Sequence, residues 1–199
     1  HEDLLKEFVD EDHIVIGTTE DNGAVLGMGH VRRGGTGVTN VGMLVEDKEG
    51  FLPQLKEAFD QCGFNVKIHE NIQTLIWDKL FTNVSLSALT GVLQVDMGYI
   101  AANEYAWDLC CQLIHETVKT AAAAGLDFDE EKVREKVKNT SINNPKGCTS
   151  IRADLRDGRK TEVDTISGAV VRAAHKHGVE VPGHECIVRL VHAMEGRNK

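Results

Sequence analysis

A lysine, an amide and a hydroxyl recur at four-residue spacing at Lys79, Asn83 and Ser87. On a helix turning about 100° per residue, Asn83 lies about 40° and Ser87 about 80° from Lys79, so the three form one polar stripe. Ile76, Trp77, Leu80, Val84 and Ala88 fill the adjoining arc, which runs the stripe along the edge of the apolar face and into it. A half-desolvated amine in that position releases a proton more readily, as a general acid must. The plain alternative is a lysine reaching from a helix edge into solvent, with the amide and hydroxyl bonding backbone.

A second polar group stands at Ser150, Asp154 and Glu162. Ser150 and Asp154 are one helical turn apart, and Glu162 lies beyond Gly158, near the start of the next helix. A hydroxyl and two carboxylates could order a ligand or a lysine. Equally, Ser150 could be a helix N-cap and Asp154 a surface partner of Arg152 or Arg156. His175 and His177 face different ways on a helix, and His184 and Cys186 lack partners at ligand spacing, so no metal site is expected. Gly27-Met-Gly29 and Gly34-Gly-Thr-Gly37 neither follow a strand nor open a helix, and read as hairpin glycines rather than a dinucleotide loop.

The elements that must position these residues change character near residue 70. Before it, Ile14–Ile16, His30–Arg33, Val38–Val41 and Phe64–Ile68 read as strands, the glycine-punctuated ones as a small antiparallel meander, with one helix over Lys48–Cys62. After it, helical patterns take over: Ile72–Leu89, Glu104–Ala124, Asp129–Asn139, Ser150–Asp157, Val163–His177 and Val181–Glu195, with Gly125 and Gly178 as stops. The expected class is an α/β remnant over residues 1–70 followed by an all-helical domain over 71–199.

Composition sets bounds. The 199 residues carry a formal charge of −9, which argues against a nucleic-acid or anionic-membrane partner. Five cysteines, odd in number and without CxxC spacing, point to a reducing cytoplasm. No apolar run approaches the roughly 20 residues of a membrane span, and no signal peptide is visible. His1 is not a natural initiator, so the native start is expected elsewhere.

Taken together, the two polar groups match a known pattern. Trp77-Asp-Lys79-Leu80-Phe-Thr-Asn83, then Ser87-Ala-Leu-Thr90, resembles the W-x-K-L-x-x-N-x-x-x-N-x-L-T helix of the ketopantoate reductase (2-dehydropantoate 2-reductase) family. Ser150-Ile-Arg-Ala-Asp154 and Arg159-Lys-Thr161-Glu162-Val-Asp164-Thr-Ile-Ser-Gly168 resemble its S-M-x-x-D … R-x-T-E-I-D-Y-I-N-G stretch, and Val179-Glu-Val181-Pro182 fits the family's next segment. Gly17-Thr18-Thr19 and the run through Gly42 are similar to the family's last Rossmann strands.

The resemblance implies NADPH-dependent reduction of ketopantoate to pantoate, a step toward pantothenate and coenzyme A, in a cleft between a Rossmann domain and a helical domain. It assigns the general acid to Lys79 and substrate oxygens to Asn83. Ser150 takes the substrate's carboxylate or hydroxyl end, Glu162 supports Lys79 or the cofactor ribose, and Asp154 positions its neighbours. It also implies that the chain is the carboxy-terminal two-thirds of such an enzyme, a truncation or proteolytic product parted from the NADPH-binding glycine loop and inactive alone. Two departures stand out: Ser87 where the family shows a second Asn, and Thr165-Ile-Ser167 for Tyr-Ile-Asn. Ser87 leaves room for a rival, a reductase of another small 2-keto acid. A rival of a different class is a non-catalytic helical module for ligand binding or homodimerisation, for which the apolar helix Glu104–Ala124 is suited.

Overall fold

The computed structural model describes residues 2–35 and 37–196; His1, residues 197–199 and Thr36, which falls in the expected glycine turn, lie outside the described residues. The chain divides into two units, residues 1–76 and 77–199. A short helix α1 (Glu2–Leu5) precedes strands β1 (Val15–Thr19), β2 (Asn22–Gly27), β3 (His30–Gly35) and β4 (Val38–Met43). Helix α2 (Phe51–Gln61) and β5 (Asn65–Ile68) complete the first unit's regular elements, apart from the start of α3 (Ile72–Thr82).

β4 is the central strand. It pairs antiparallel with β1 and parallel with β5, in the order β1-β4-β5. A parallel neighbour needs a crossover, and α2 supplies it, laying Leu52, Leu55 and Phe59 against Val41 and Val66. Asp47 starts that helix by accepting from the Phe51 and Leu52 amides, both at 2.8 Å. The expected meander is corrected here. β2 and β3 pair only with each other, in a hairpin inserted between β1 and β4, so β3 and β4 are sequence neighbours without being sheet neighbours. The sequence pattern shows turns but not which strand closes on which.

The second unit is all helix. The expected single helix from Ile72 to Leu89 is instead α3, a π turn over Asn83–Ser87, and α4 (Ala88–Leu93). Next comes α5 (Met97–Ala102), absent from the sequence reading, and then α6 (Glu104–Ala123), α7 (Glu130–Asn143), α8 (Ser150–Arg156), α9 (Ser167–Lys176) and α10 (Pro182–Glu195). Gly125 and Gly178 do end α6 and α9, with φ of +86° and +69° in the left-handed region that favours glycine. The expected start of α9 at Val163 is corrected to Ser167, because residues 162–166 form turns bonded to the Glu162 and Val163 carbonyls.

α6 is the axis of this unit. Ala106, Cys110, Leu113, Ile114, Thr117 and Ala121 recur on its buried face, and the threonine hydroxyl among them donates back to the Leu113 carbonyl at 2.7 Å. Glu116 is also buried on α6. Its carboxylate accepts from the Gly183 amide at 2.9 Å and the His184 amide at 3.0 Å, capping α10 from a neighbouring helix. His184, fully buried, bonds Thr117 Oγ1 and the Leu113 carbonyl through Nε2, and burial pushes its imidazole below the ordinary range.

Glu116→Gln tests this cap. An amide has one acceptor oxygen where the carboxylate has two, so a buried amide N–H of α10 loses its acceptor. The expected loss is about 1–3 kcal/mol, read as a lower urea midpoint at unchanged slope; an unmoved midpoint would contradict the capping role.

Candidate functional site

The residues from Lys79 to Ser87 form a gradient of burial. Lys79 is exposed, Asn83 half-buried and Ser87 buried. The expected half-desolvated lysine is therefore corrected: within this chain the amine stands on the solvent side of α3. Lys79 lies before the π turn, at the edge of the apolar arc, and its side chain reaches outward from there; the turn changes only how the later positions relate to it. The i→i+5 bonds of the π turn put an extra residue into it, so everything beyond Thr82 is rotated relative to a uniform helix. Inside the turn, Ser85 spends its hydroxyl on the Phe81 carbonyl at 2.6 Å. Asn83 and Ser87 make no side-chain hydrogen bond among the described residues.

α8 packs against both the π turn and α4. Two contacts fix its seat. Thr90 Oγ1 lies 2.7 Å from the Leu86 carbonyl, to which it donates, and 2.7 Å from Thr149 Oγ1, whose proton it receives. Thr149 in turn accepts from the Arg152 amide at 3.4 Å and is the N-cap of α8. The cap expected at Ser150 thus sits one residue earlier, because Thr149 points into the core and leaves Ser150 exposed as the first helical residue. Beside this bond, Gly91 faces Ile151 so closely that a Cβ would stand 2.5 Å from the Ile151 methyl.

In the last turn of α8, Asp154 is half-buried, and its partner is Arg159 at 2.8 Å rather than Arg152 or Arg156. Arg152 pairs with Asp96, and Arg156 takes Asp157 at 2.7 Å. The Arg159 amide also donates to the Asp154 carbonyl at 2.8 Å, so side chain and backbone together close the turn at Gly158, whose φ is +69°. That turn leads to Glu162, which is exposed, with a carboxylate that makes no bond among the described residues.

Both neighbours of Glu162 are buried, and α10 holds the stretch. Glu195 accepts from the Thr161 amide at 2.7 Å and its hydroxyl at 2.8 Å. His192 reaches Glu195 through Nδ1 at 2.9 Å and Asp164 through Nε2 at 3.0 Å. Glu195, against some desolvation, and then Asp164 hold the His192 imidazolium above its ordinary range. Burial works to raise the Glu195 carboxyl, but the Thr161 amide, His192 and the Thr161 hydroxyl outweigh it and hold the group low.

Thr90, Thr149, Gly91, His192 and Glu195 are not picked out by sequence reasoning. Thr90 closes the quoted motif, but nothing in its spacing shows a partner across the unit. The five cysteines are unpaired, and burial pushes the Cys110 thiol up to about 12. One group with metal-ligand geometry occurs among the described residues, the exposed Asp10, Asp12 and His13. A nicotinamide dinucleotide is only partly provided for. The glycines at 27, 29, 34, 35 and 37 belong to or flank the β2–β3 hairpin, between strands, and give no strand-to-helix cradle for a diphosphate.

The chain matches the family described as ketopantoate reductase PanE/ApbA C terminal over residues 71–195. A 2-dehydropantoate 2-reductase of Streptococcus pyogenes is 28% identical over 196 residues, 98% of this chain and 64% of the relative. The chain therefore spans just under two-thirds of the curated relative's length. Among solved structures, D-mandelate dehydrogenase in a ternary structure with NADH and anilino(oxo)acetate is 28% identical, with a TM-score of 0.86, over 100% of this chain and 65% of that one. A putative 2-dehydropantoate 2-reductase from Enterococcus faecalis is 26% identical, with a TM-score of 0.81, over 100% and 64%. In keeping with these relatives, the sheet of the first unit is part of a Rossmann-type fold and the second unit a helical domain.

Gly91→Ala tests the α4–α8 contact. Ile151 is fully buried and stiff at its branched carbon, so the added methyl forces the helices apart. The expected cost is about 1–3 kcal/mol of overpacking in urea unfolding; a neutral or stabilising result would show that α8 is not seated by this approach.

Proposed function

The chain belongs to the ketopantoate reductase family, and on that premise we propose that, in a protein of the relatives' full length, it reduces 2-dehydropantoate to pantoate with NADPH. The observation that carries the reading is the graded stripe on α3 and the π turn. An exposed amine, a half-buried amide and a buried hydroxyl follow one another along α3 and the π turn, and the π turn packs against the helix that Ser150 opens. Bound nicotinamide supplies the hydride. The residues of this chain supply the rest.

Lys79 delivers the proton to the alkoxide left when the keto carbon is reduced. Asn83 and Ser87 hold the substrate's oxygens, and the absence of competing side-chain bonds on either among the described residues suits that task. Ser150 takes the carboxylate or hydroxyl end. Glu162 orients the Lys79 ammonium or accepts from the cofactor ribose, and Asp154, tied to Arg159, fixes the turn that presents it. The diphosphate falls to the part of the relatives' length that the chain does not span. A cytoplasmic setting agrees with five unpaired cysteines, and none of the described helices is long and apolar enough to cross a membrane. Homodimerisation through the helical domain belongs to the same proposal; Leu93, Leu109 and Leu190 stand exposed around a shared apolar hollow of about 310 Å³.

A second reading is favoured by one comparison and one residue. The likeness to D-mandelate dehydrogenase, with Ser87 in place of a longer amide, suits a 2-oxo acid of different shape and NADH as donor. A panel of ketopantoate and a phenyl-bearing 2-oxo acid, each with NADPH and NADH, decides between them. The first reading expects the highest kcat/KM for ketopantoate with NADPH, and a preference for the aromatic acid would replace it with the second.

Under either reading, Lys79→Ala in the full-length enzyme is expected to cost about 10²–10⁴-fold in kcat. Lys79→Arg should not restore it, since a guanidinium does not give up its proton. A loss below tenfold would remove Lys79 from the role.

A further inference from the structure

Glu162 stands in a stretch where the side chains of Thr161, Val163 and Asp164 are all committed. Thr161 is bound to Glu195, Val163 is fully buried in the core, and Asp164 is bound to His192. The Arg172 guanidinium on α9 holds the Asp164 carbonyl at 3.0 Å. A side chain left over from such a clamp owes its direction to the clamp.

We propose that His192 and Glu195, at the end of α10, are positioning residues that aim Glu162 at the reacting groups. The proposal rests on the reading that Glu162 serves the reaction. Its chemistry is specific. Both ring nitrogens of His192 face carboxylate oxygens, which only accept, and a neutral imidazole has a single N–H to donate. Only the imidazolium bonds Glu195 and Asp164 together. Losing that proton turns a lone pair toward one carboxylate and opens one side of the clamp. The groups facing the ring are Glu195 on its own helix and Asp164 on the loop, with Arg172 behind the latter.

These two groups set a pH window. His192 has a raised folded value, so its stabilisation is complete below its ordinary value of 6.5 and is lost as pH rises through the folded one. Glu195 has a lowered one, so its contribution is present above 4.5 and is lost as pH falls through the folded value. The clamp is closed between the two folded values and opens on the alkaline side first at His192.

A double-mutant cycle in the full-length enzyme tests this. Glu162→Gln is expected to lower kcat/KM, and His192→Gln to lower it roughly ten- to hundredfold, the scale of a displaced reacting group. In the Glu162→Gln background the second substitution should change it less than twofold, because there is no longer a carboxylate to aim. The wild-type profile should show an alkaline limb that His192→Gln lacks. Should His192→Gln not fold, Asp164→Ala, which removes the acceptor facing His192 Nε2, opens the exposed side of the clamp and is expected to show the same coupling. If Glu162→Gln leaves activity unchanged, the reading of Glu162 falls and this inference with it. If Glu162→Gln is damaging but the His192 effect is equal in both backgrounds, the clamp is only structural; the inference is overturned while the reading stands.

Discussion

The second unit depends on how α8 is seated against α4, and that seat is one hydroxyl pair and one missing methyl. Thr90 and Thr149 are both buried, and a buried hydroxyl without a partner costs on the order of 1–3 kcal/mol. Thr149 depends on Thr90, because the Thr90 proton is committed to the Leu86 carbonyl and its oxygen is left to accept the Thr149 proton. The pair therefore specifies one register: sliding α8 by a residue would leave the Thr149 proton without its acceptor. Gly91 lets the backbones come close enough for the 2.7 Å bond to form at all. At the end of α4, Gln94 adopts a left-handed φ of 54° and returns its side-chain amide to the Gly91 carbonyl at 2.6 Å, so the helix stops where α8 must pass.

α10 carries the complementary constraint, since acidic groups are in charge of both its ends. Glu116 sits against its first amides, where the helix dipole favours a negative charge. At its last turn Glu195 faces away from the helix and toward the Thr161 amide, with His192 beside it as the cation. A carboxylate at a helix C-terminus is unfavourable in itself. Two Thr161 donors and one imidazolium offset it, which is why the contact between α10 and the 161–164 loop cannot be loosened at one member alone. The packing of α10 on α6 and α9 thus reaches the Glu162 stretch through charge as well as through volume.

Much of this is legible in the residues. Long amphipathic segments announce the helical half, and the glycines at 125 and 178 stop their helices as their conformational freedom allows. The features that escape are those a linear pattern cannot carry. The π turn has no periodic signature of its own, so a single helix reads straight through residues 83–87. Thr149 is hidden because Ser150 beside it is an equally good cap, and only the core decides which hydroxyl turns inward. Asp154 finds Arg159 rather than its helix neighbours because a turn brings a remote residue nearer than a helical one. The hairpin β2–β3 makes neighbours in sequence look like neighbours in the sheet. Local chemistry is visible; long-range pairing is not.

The gradient along α3 and the π turn bears on how a proton could be delivered. A general acid must stay hydrated enough to be recharged between turnovers and be dry at the moment of transfer. An amine at the solvent end of the stripe, with an amide and a buried hydroxyl deeper in, separates those requirements in space: substrate held by the inner groups would displace water from the outer one as it binds. Under the proposed reading, the exposure of Lys79 would be the resting condition of the stripe, and its desolvation would come with the substrate. The π turn makes this possible by widening the helix between Asn83 and Ser87 while Val84, Leu86 and Ala88 remain fully buried beneath it.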